Sequence, residues 1–336
     1  MRFRNLTIGL VVLAAACGGA AATTTAPLQA TTPVVTTTAG VPSTAQPSTT
    51  QATPTTGAAD FPVTIDADNG SITIAAAPAA VVSLSATATE ILFAIGAGDQ
   101  VVAVDEFSTY PPEAPLTDLS GLTPNVEAIS VYEPDLVVVS FDPGDLVSSL
   151  EALGIPVVVQ GVAVTLDDTH RQIEHLGAAT GHAPEAAALN EALTSDLAEI
   201  AAALPAEAAG LTYYHELGQD LYSATSATFI GRLYALLGLV NVADGADEDG
   251  AAFGYPQLSE EYLIEADPDL IFLADTVCCG QSAATVAERP GWEAMQAVRN
   301  GAVVELDDDV ASRWGPRIVD LLRAVGDAVR SLLESK

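Results

Sequence analysis

The chain has 336 residues, enough for two ordinary domains, and 49% of them are apolar, which excludes a disordered protein. Its 44 acidic residues against 11 basic ones leave a net charge of −33. With no basic stripe to offset it, a polyanion of this kind is repelled by nucleic acid and by anionic lipid, which excludes nucleic-acid binding.

The N-terminus carries Arg2 and Arg4, then an apolar run from Leu6 to Leu13 that is too short to span a bilayer. Leu13-Ala14-Ala15-Ala16-Cys17 resembles the lipobox of bacterial lipoproteins, although Ala14 stands where Leu is commoner. On that resemblance, residues 1–17 are a lipoprotein signal peptide and the Cys17 thiol takes a lipid. The alternative is an ordinary signal peptide in which Cys17 is incidental. Residues 18–60 are almost entirely Ala, Thr, Pro, Ser, Gly and Gln. Such a segment cannot bury enough surface to fold and reads as a tether that holds the remainder outside the membrane.

From Phe61 onward, short β-branched runs alternate with helical stretches. Val81 to Leu84, Val101 to Val104, Leu136 to Val139 and Val157 to Val159 are apolar but for Ser83, as suits strands buried on both faces of a parallel sheet. The second half repeats the first. Ser85-Ala86-Thr87-Ala88-Thr89 recurs as Ser223-Ala224-Thr225-Ser226-Ala227-Thr228, and a helix ending at Gly96 recurs as one ending at Gly238. Glu127 precedes Pro134-Asp135-Leu136 by the same interval that separates Glu261 from Pro268-Asp269-Leu270. Between the halves, Pro184 to Leu204 is rich in Ala, Leu and Glu without internal Gly or Pro, and Pro205 ends it. This predicts one long helix of about 20 residues and roughly 30 Å. The fold class that follows is α/β: an N-terminal lobe over 61–182, a bridging helix over 183–205, a C-terminal lobe over 206–336, and a cleft between the lobes.

Of three cysteines, Cys17 is assigned to the lipid. An oxidising exterior then pairs Cys278 with Cys279, at the rim of the cleft after the strand Leu270 to Ala274. That pair either touches ligand or stiffens its loop. No further Cys or His lies near enough in sequence to complete a metal site with it.

Several runs together carry a family resemblance: Val82-Ser83-Leu84-Ser85-Ala86-Thr87-Ala88-Thr89-Glu90, Tyr110-Pro111-Pro112-Glu113, Asn125-Val126-Glu127 with Glu133 to Val137, and Ser312-Arg313-Trp314-Gly315-Pro316-Arg317-Ile318. The chain resembles the substrate-binding proteins of ABC importers for cobalamin and ferric siderophores, over about Phe61 to Leu333. The resemblance implies a monomer without catalytic activity, lipid-anchored outside the cytoplasm, whose cleft closes only slightly. It also implies one exposed glutamate per lobe, matched here by Glu127 and Glu261, docking on a permease dimer that carries its ATPase. Two charges on two lobes fix orientation more than affinity. The bland account is that each opens a helix, where an acid suits the dipole.

In open α/β sheets ligands lie beyond the carboxyl ends of the strands. Following each strand outward gives Ser85 and Thr87, then Phe107 and Tyr110, then Phe141 and Asp142 in the first lobe. The second lobe offers Tyr222, Phe253, Tyr255, the cysteine pair, Asp309, Arg313 and Trp314. Ser85 and Thr87 are expected to give hydrogen bonds, and the aromatics, Tyr110 and Trp314 above all, to give stacking faces. Aromatics with few cations suit a large, flat, nearly neutral ligand. A corrinoid fits first, a neutral hydroxamate siderophore second, and haem through Tyr110 or Tyr222 third, because only Arg313 and Arg232 are placed to meet an anion. No resident cofactor is expected.

Readings from other classes fare worse. A zinc or manganese receptor needs clustered histidines, whereas His170, His175 and His182 are expected near the hinge, with Gly177 and Gly181 breaking a helix between them, and His215 lies alone on a strand. A secreted hydrolase is the enzyme alternative, through Gly280-Gln281-Ser282-Ala283-Ala284, but no His follows Ser282 to act as its base. Ser282 is expected to cap a helix starting at Ala283. An adhesive surface module would leave the paired glutamates and the aromatic strand exits without a role.

Overall fold

A computed structural model describes residues 61–335; the lipobox at Cys17 and the tether over 18–60 lie outside the described residues. The chain opens with β1 (Val63–Ala67) and β2 (Gly70–Ile74), an antiparallel hairpin. It continues through β3 (Val81–Leu84), α1 (Ala86–Ala94), β4 (Val101–Asp105), β5 (Leu116–Leu119) and α2 (Val126–Ser130). Then follow β6 (Leu136–Val139), α3 (Leu146–Glu151), β7 (Val157–Val159) and α4 (Leu166–Thr180). The four apolar runs are strands β3, β4, β6 and β7, and with β5 they make an all-parallel sheet in the order β5-β4-β3-β6-β7.

Why these runs are almost entirely apolar is visible in what covers them. Alternate residues of β3, β6 and β7 point to opposite faces. Val81, Leu136, Val138 and Val158 enter the large core beneath α1 and α4, while Val82, Leu84, Val137, Val139 and Val157 enter a second core with Ile129 and Leu150 from α2 and α3. Burying each such side chain stabilises the fold by about 1.5–3 kcal/mol.

The hairpin is a feature that the strand-helix pattern did not predict. Asn69 at its turn donates to the Val157 carbonyl at 2.9 Å and accepts from the Val159 amide at 3.0 Å, so it closes the free edge of β7.

α5 (Ala183–Ala202) is the bridging helix, 20 residues long, with Pro184 in its first turn. It buries Ala186, Leu193 and Leu197. Gly177 does not break α4, which runs unbroken to Thr180 and ends on Gly181 at φ +84°. Gly177 instead lets α4 and α5 touch: a Cβ there would collide with the Cβ of Ala186. His182 stands at the N-terminus of α5, its Nδ1 3.1 Å from the Thr180 carbonyl.

The second half comprises β8 (Thr212–Glu216), α6 (Phe229–Leu236), β9 (Val240–Asn241), α7 (Glu260–Ala266) and β10 (Leu270–Leu273). The short helices α8 (Thr276–Cys279), α9 (Ala283–Ala287) and α10 (Gln296–Arg299) lead to β11 (Val303–Glu305), α11 (Asp308–Ser312) and α12 (Ile318–Ser335). Its strands are all parallel, in the order β11-β10-β8-β9. Aromatics fill this core: Tyr213 stacks on Tyr234 at 4.3 Å, Phe272 meets both edge-on, and Trp292 is fully buried. α12 lies along α5 where Gly326 faces Ile200, so the bridging helix sits between α4 and α12.

Candidate ligand cleft

Loops from the carboxyl ends of strands in the two sheets meet. At one end of the cleft, Thr109 after β4 donates to Asp309 at 3.2 Å, and Arg313 donates to the Phe107 carbonyl at 2.9 Å. At the other end, Thr165, Leu166 and Asp167 from the start of α4 share a cavity of about 410 Å³ with Ser226, Phe229 and Arg232 beside α6.

Six aromatic side chains are exposed among the described residues: Phe107, Tyr110, Phe141, Tyr222, Phe253 and Tyr255. All six lie in loops that leave the carboxyl ends of strands, Phe107 and Tyr110 after β4, Phe141 after β6, Tyr222 after β8, and Phe253 and Tyr255 beyond β9. Phe253 is the extreme case at 89% exposure. Val162 and Val164 after β7 and Val277 after β10 add exposed apolar surface in the same position. The two valines were not singled out from sequence, although their alternation with buried Ala163 just past a strand carries the signal.

Other expected contacts are placed differently. Ser85 is buried, and its hydroxyl accepts from the Ala88 amide at 3.3 Å as the N-cap of α1. Thr87 is buried against Gly315. Neither stands open to a ligand, because helix capping and packing occupy them. Arg313 is not a free cation. Its guanidinium donates to Glu90 at 2.8 Å and to Asp309 at 2.6 Å. Arg317 adds two bonds to the same buried Glu90 carboxylate, at 3.0 and 2.6 Å, and lies 4.3 Å over the Tyr110 ring. One face of Tyr110 is therefore taken. Trp314 is half-buried, and its indole donates to Gln172 at 2.9 Å. Among the described residues no carboxylate pairs with Arg232, which is exposed at the rim of the cavity by α6.

Glu90 was not foreseen as a joint between the halves. Its signal was an acid set directly before Ile91-Leu92-Phe93 in α1, a position that only paired cations make tolerable.

Beneath the second-lobe loops, Glu216 at the end of β8 is buried and held bidentately by Arg289 at 2.6 Å. Asp275, two residues past β10, is fully buried with no hydrogen-bond partner on either side-chain oxygen. Burial, then the neighbouring Glu216 carboxylate, pushes its carboxyl up to about 7. Burial likewise pulls the His215 imidazole down to about 4. Its Nδ1 is 2.9 Å from the Tyr234 hydroxyl, which places it in the core rather than at a site.

Cys278 and Cys279 are joined by a disulfide in α8, with both residues exposed. Ser282 caps α9 in a reciprocal arrangement with Thr285. Among the described residues, no group of three or more His, Cys, Asp or Glu is arranged to hold a metal ion.

Glu127 and Glu261 are exposed, and each is the second residue of its helix, α2 and α7 respectively. Their matching places reproduce the spacing repeat.

Comparison with known proteins gives a consistent picture. The sequence family described as periplasmic binding protein matches residues 81–310. An uncharacterized ABC transporter substrate-binding lipoprotein, YvrC of Bacillus subtilis, is 30% identical over 80% of this chain and 86% of its own. A cobalamin-binding protein of Halobacterium salinarum is 34% identical over 81% of this chain and 75% of its own. The periplasmic vitamin B12 binding protein BtuF of Vibrio cholerae superposes with a TM-score of 0.60 at 27% identity, covering 77% of this chain and 98% of that one. The haem-binding protein HutB of the same organism superposes at 0.66 with 22% identity, over 74% and 97% of the two chains, a likeness that speaks for the fold alone.

Proposed function

The chain belongs to the periplasmic binding protein family, and from that premise we propose that it captures a corrinoid of the cobalamin class outside the cytoplasm and delivers it to an ABC importer. The observation that carries the ligand class is the distribution of exposed aromatics. All six are on strand-exit loops, three from each half of the chain, where they offer flat apolar faces to one ligand. The scarcity of free cations supports the same class. Arg313 and Arg317 are committed to Glu90, which leaves Arg232 as the cation at the cleft without a carboxylate partner among the described residues. One free charge suits a ligand with a single phosphodiester better than an anionic catecholate chelate or the two propionates of haem. The 34% identity to a cobalamin-binding protein points the same way.

The mechanism is capture without chemistry. Aromatic faces hold the ligand, Glu127 and Glu261 orient the loaded protein on the permease, and a lipid on Cys17 keeps it near the membrane. ATP-driven motion of the permease then spreads the lobes and releases the ligand. Calorimetric titration of the purified chain with cyanocobalamin tests the reading, with a neutral ferric hydroxamate and haem run in parallel. Saturable corrinoid binding at about micromolar concentration or below supports it. Tight binding of the hydroxamate or haem with none of the corrinoid replaces it.

A further inference from the structure

The internal repeat aligns β6 with β10, since Pro134-Asp135 and Pro268-Asp269 introduce them at the same place. Beyond β6 the first lobe presents the exposed aromatic Phe141. The loop that leaves β10, residues 274–282, has no aromatic. In its place stand Val277, 74% exposed, and the bonded pair Cys278–Cys279.

The loop that carries them has turned its polar groups to its own base. Asp308 accepts from the Val277 amide at 2.9 Å, the Cys278 amide at 2.7 Å and the Thr276 hydroxyl at 3.1 Å. That hydroxyl also lies 2.6 Å from the Leu306 carbonyl. Gln219, from the loop after β8, donates to the Cys279 carbonyl at 3.1 Å. α8 is thereby fixed to both neighbouring strand exits, and what remains outward is the valine and the disulfide. A disulfide has no hydrogen-bond donor and holds two polarisable sulfurs together in one closed ring.

We propose that the Val277–Cys278–Cys279 plate is the second lobe's counterpart of Phe141, a ligand-contacting surface that packs against the flat face or edge of the bound corrinoid. The proposal rests on the corrinoid reading above. It assigns the disulfide to specificity: a rigid, aprotic contact favours an apolar macrocycle face and disfavours ligands that present hydroxyl or carboxylate groups there. It also makes capture sensitive to thiol reductants, which turn the plate into two mobile thiols while their own sulfurs are oxidised to a disulfide.

Two measurements on the full chain test this. In the first, the native protein is exposed to dithiothreitol with and without saturating cyanocobalamin, and freed thiols are counted over time. Dithiothreitol closes to its cyclic disulfide as Cys278 and Cys279 each gain a hydrogen. Bound ligand is expected to slow that release by at least about fivefold. In the second, Val277→Ser and the double variant Cys278→Ser/Cys279→Ser are titrated with cyanocobalamin. Each is expected to weaken binding, the double variant by about tenfold, the scale of one well-packed apolar contact. Val277→Ser alters an exposed side chain and guards against loss of folding in the double variant. If wild type binds cyanocobalamin while both variants bind equally well and the ligand gives no protection, the plate is not a contact. If wild type itself does not bind, the corrinoid reading fails first and takes this assignment with it.

Discussion

The Asp135 carboxylate accepts from the amides of Ala79 and Ala80 at 2.9 and 3.0 Å, and the Asp269 carboxylate accepts from the Thr212 amide at 3.1 Å. Each aspartate stands just before the second central strand of its lobe and grips the start of the first, β3 or β8. The pair explains why Pro-Asp precedes both strands in the sequence. It also ties the spacing of Glu127 and Glu261 to the sheets: in each lobe the glutamate opens a short helix that ends at the aspartate-anchored strand. The duplication is therefore a repeat of architecture and carries the two exposed acids along with it.

Replacing both acids separates docking from capture. Glu127→Lys with Glu261→Lys is expected to abolish importer-dependent uptake while leaving ligand affinity within about twofold of wild type, because rim charges act on orientation and encounter. Uptake assays in cells expressing the cognate importer, paired with titration of the purified variant, check this. Unchanged uptake would remove the glutamates from the docking surface.

Glu90 is the joint whose loss should cost most. Removing one partner of a buried ion pair typically costs about 3–5 kcal/mol, and here two guanidinium groups lose the same carboxylate. Glu90→Ala is expected to destabilise the protein by about 3 kcal/mol in urea unfolding. A loss under about 1 kcal/mol would mean that Asp309, already bonded to Arg313, and water suffice as partners for the two guanidinium groups.

Phe253 and Tyr222 contribute little to the core, since both side chains stand open. Phe253→Ser and Tyr222→Ala are expected to leave the melting temperature unchanged and to weaken ligand binding several-fold each, about 1 kcal/mol or more apiece. Equal affinity in both variants, measured by calorimetry, would show that the ligand sits deeper than these loops.

Asp275 gives a pH signature. Its ordinary value is 3.8 and the folded chain raises it to about 7, through burial and the nearby Glu216 carboxylate. Below about pH 4 folded and unfolded chains both hold the proton, and the residue does not affect stability. From there to 7 the unfolded chain ionises while the folded chain stays neutral, so stability is lost as pH rises and the loss levels off above that value. Asp275→Asn removes the effect. Its melting temperature relative to wild type is expected to rise between about pH 4 and pH 8, as read by calorimetric melts. A pH-independent difference would place the ionisation elsewhere.

Much of the architecture was legible because its causes are local. β6 and β7 are apolar on both faces, Pro184 and Pro205 bracket the bridging helix, and the two Pro-Asp pairs mark corresponding strands. The aromatic strand exits Tyr110, Phe141, Tyr222, Phe253 and Tyr255 were readable for the same reason. What the residues did not reveal depends on partners distant in sequence. Arg313 looked like a free cation until Glu90, 223 positions away, occupied it. Ser85 looked like a ligand donor, but its side chain is buried as the N-cap of α1. Gly177 looked like a helix breaker because nothing nearby in sequence shows that Ala186 needs its missing side chain. The β1–β2 hairpin escaped notice because it closes the edge of a strand almost ninety residues away.

The three-helix arrangement of α4, α5 and α12 bears on timing. A receptor whose lobes are already set at their working separation spends little conformational entropy on capture, so encounter with the ligand proceeds at a rate governed by diffusion and surface charge. On the proposed function, a stiff joint of this kind is also expected to lengthen the dwell of the bound molecule, because it resists parting of the lobes by thermal motion. Residence time then becomes the quantity that the importer must shorten, and the work of release falls on the nucleotide-consuming partner rather than on the receptor.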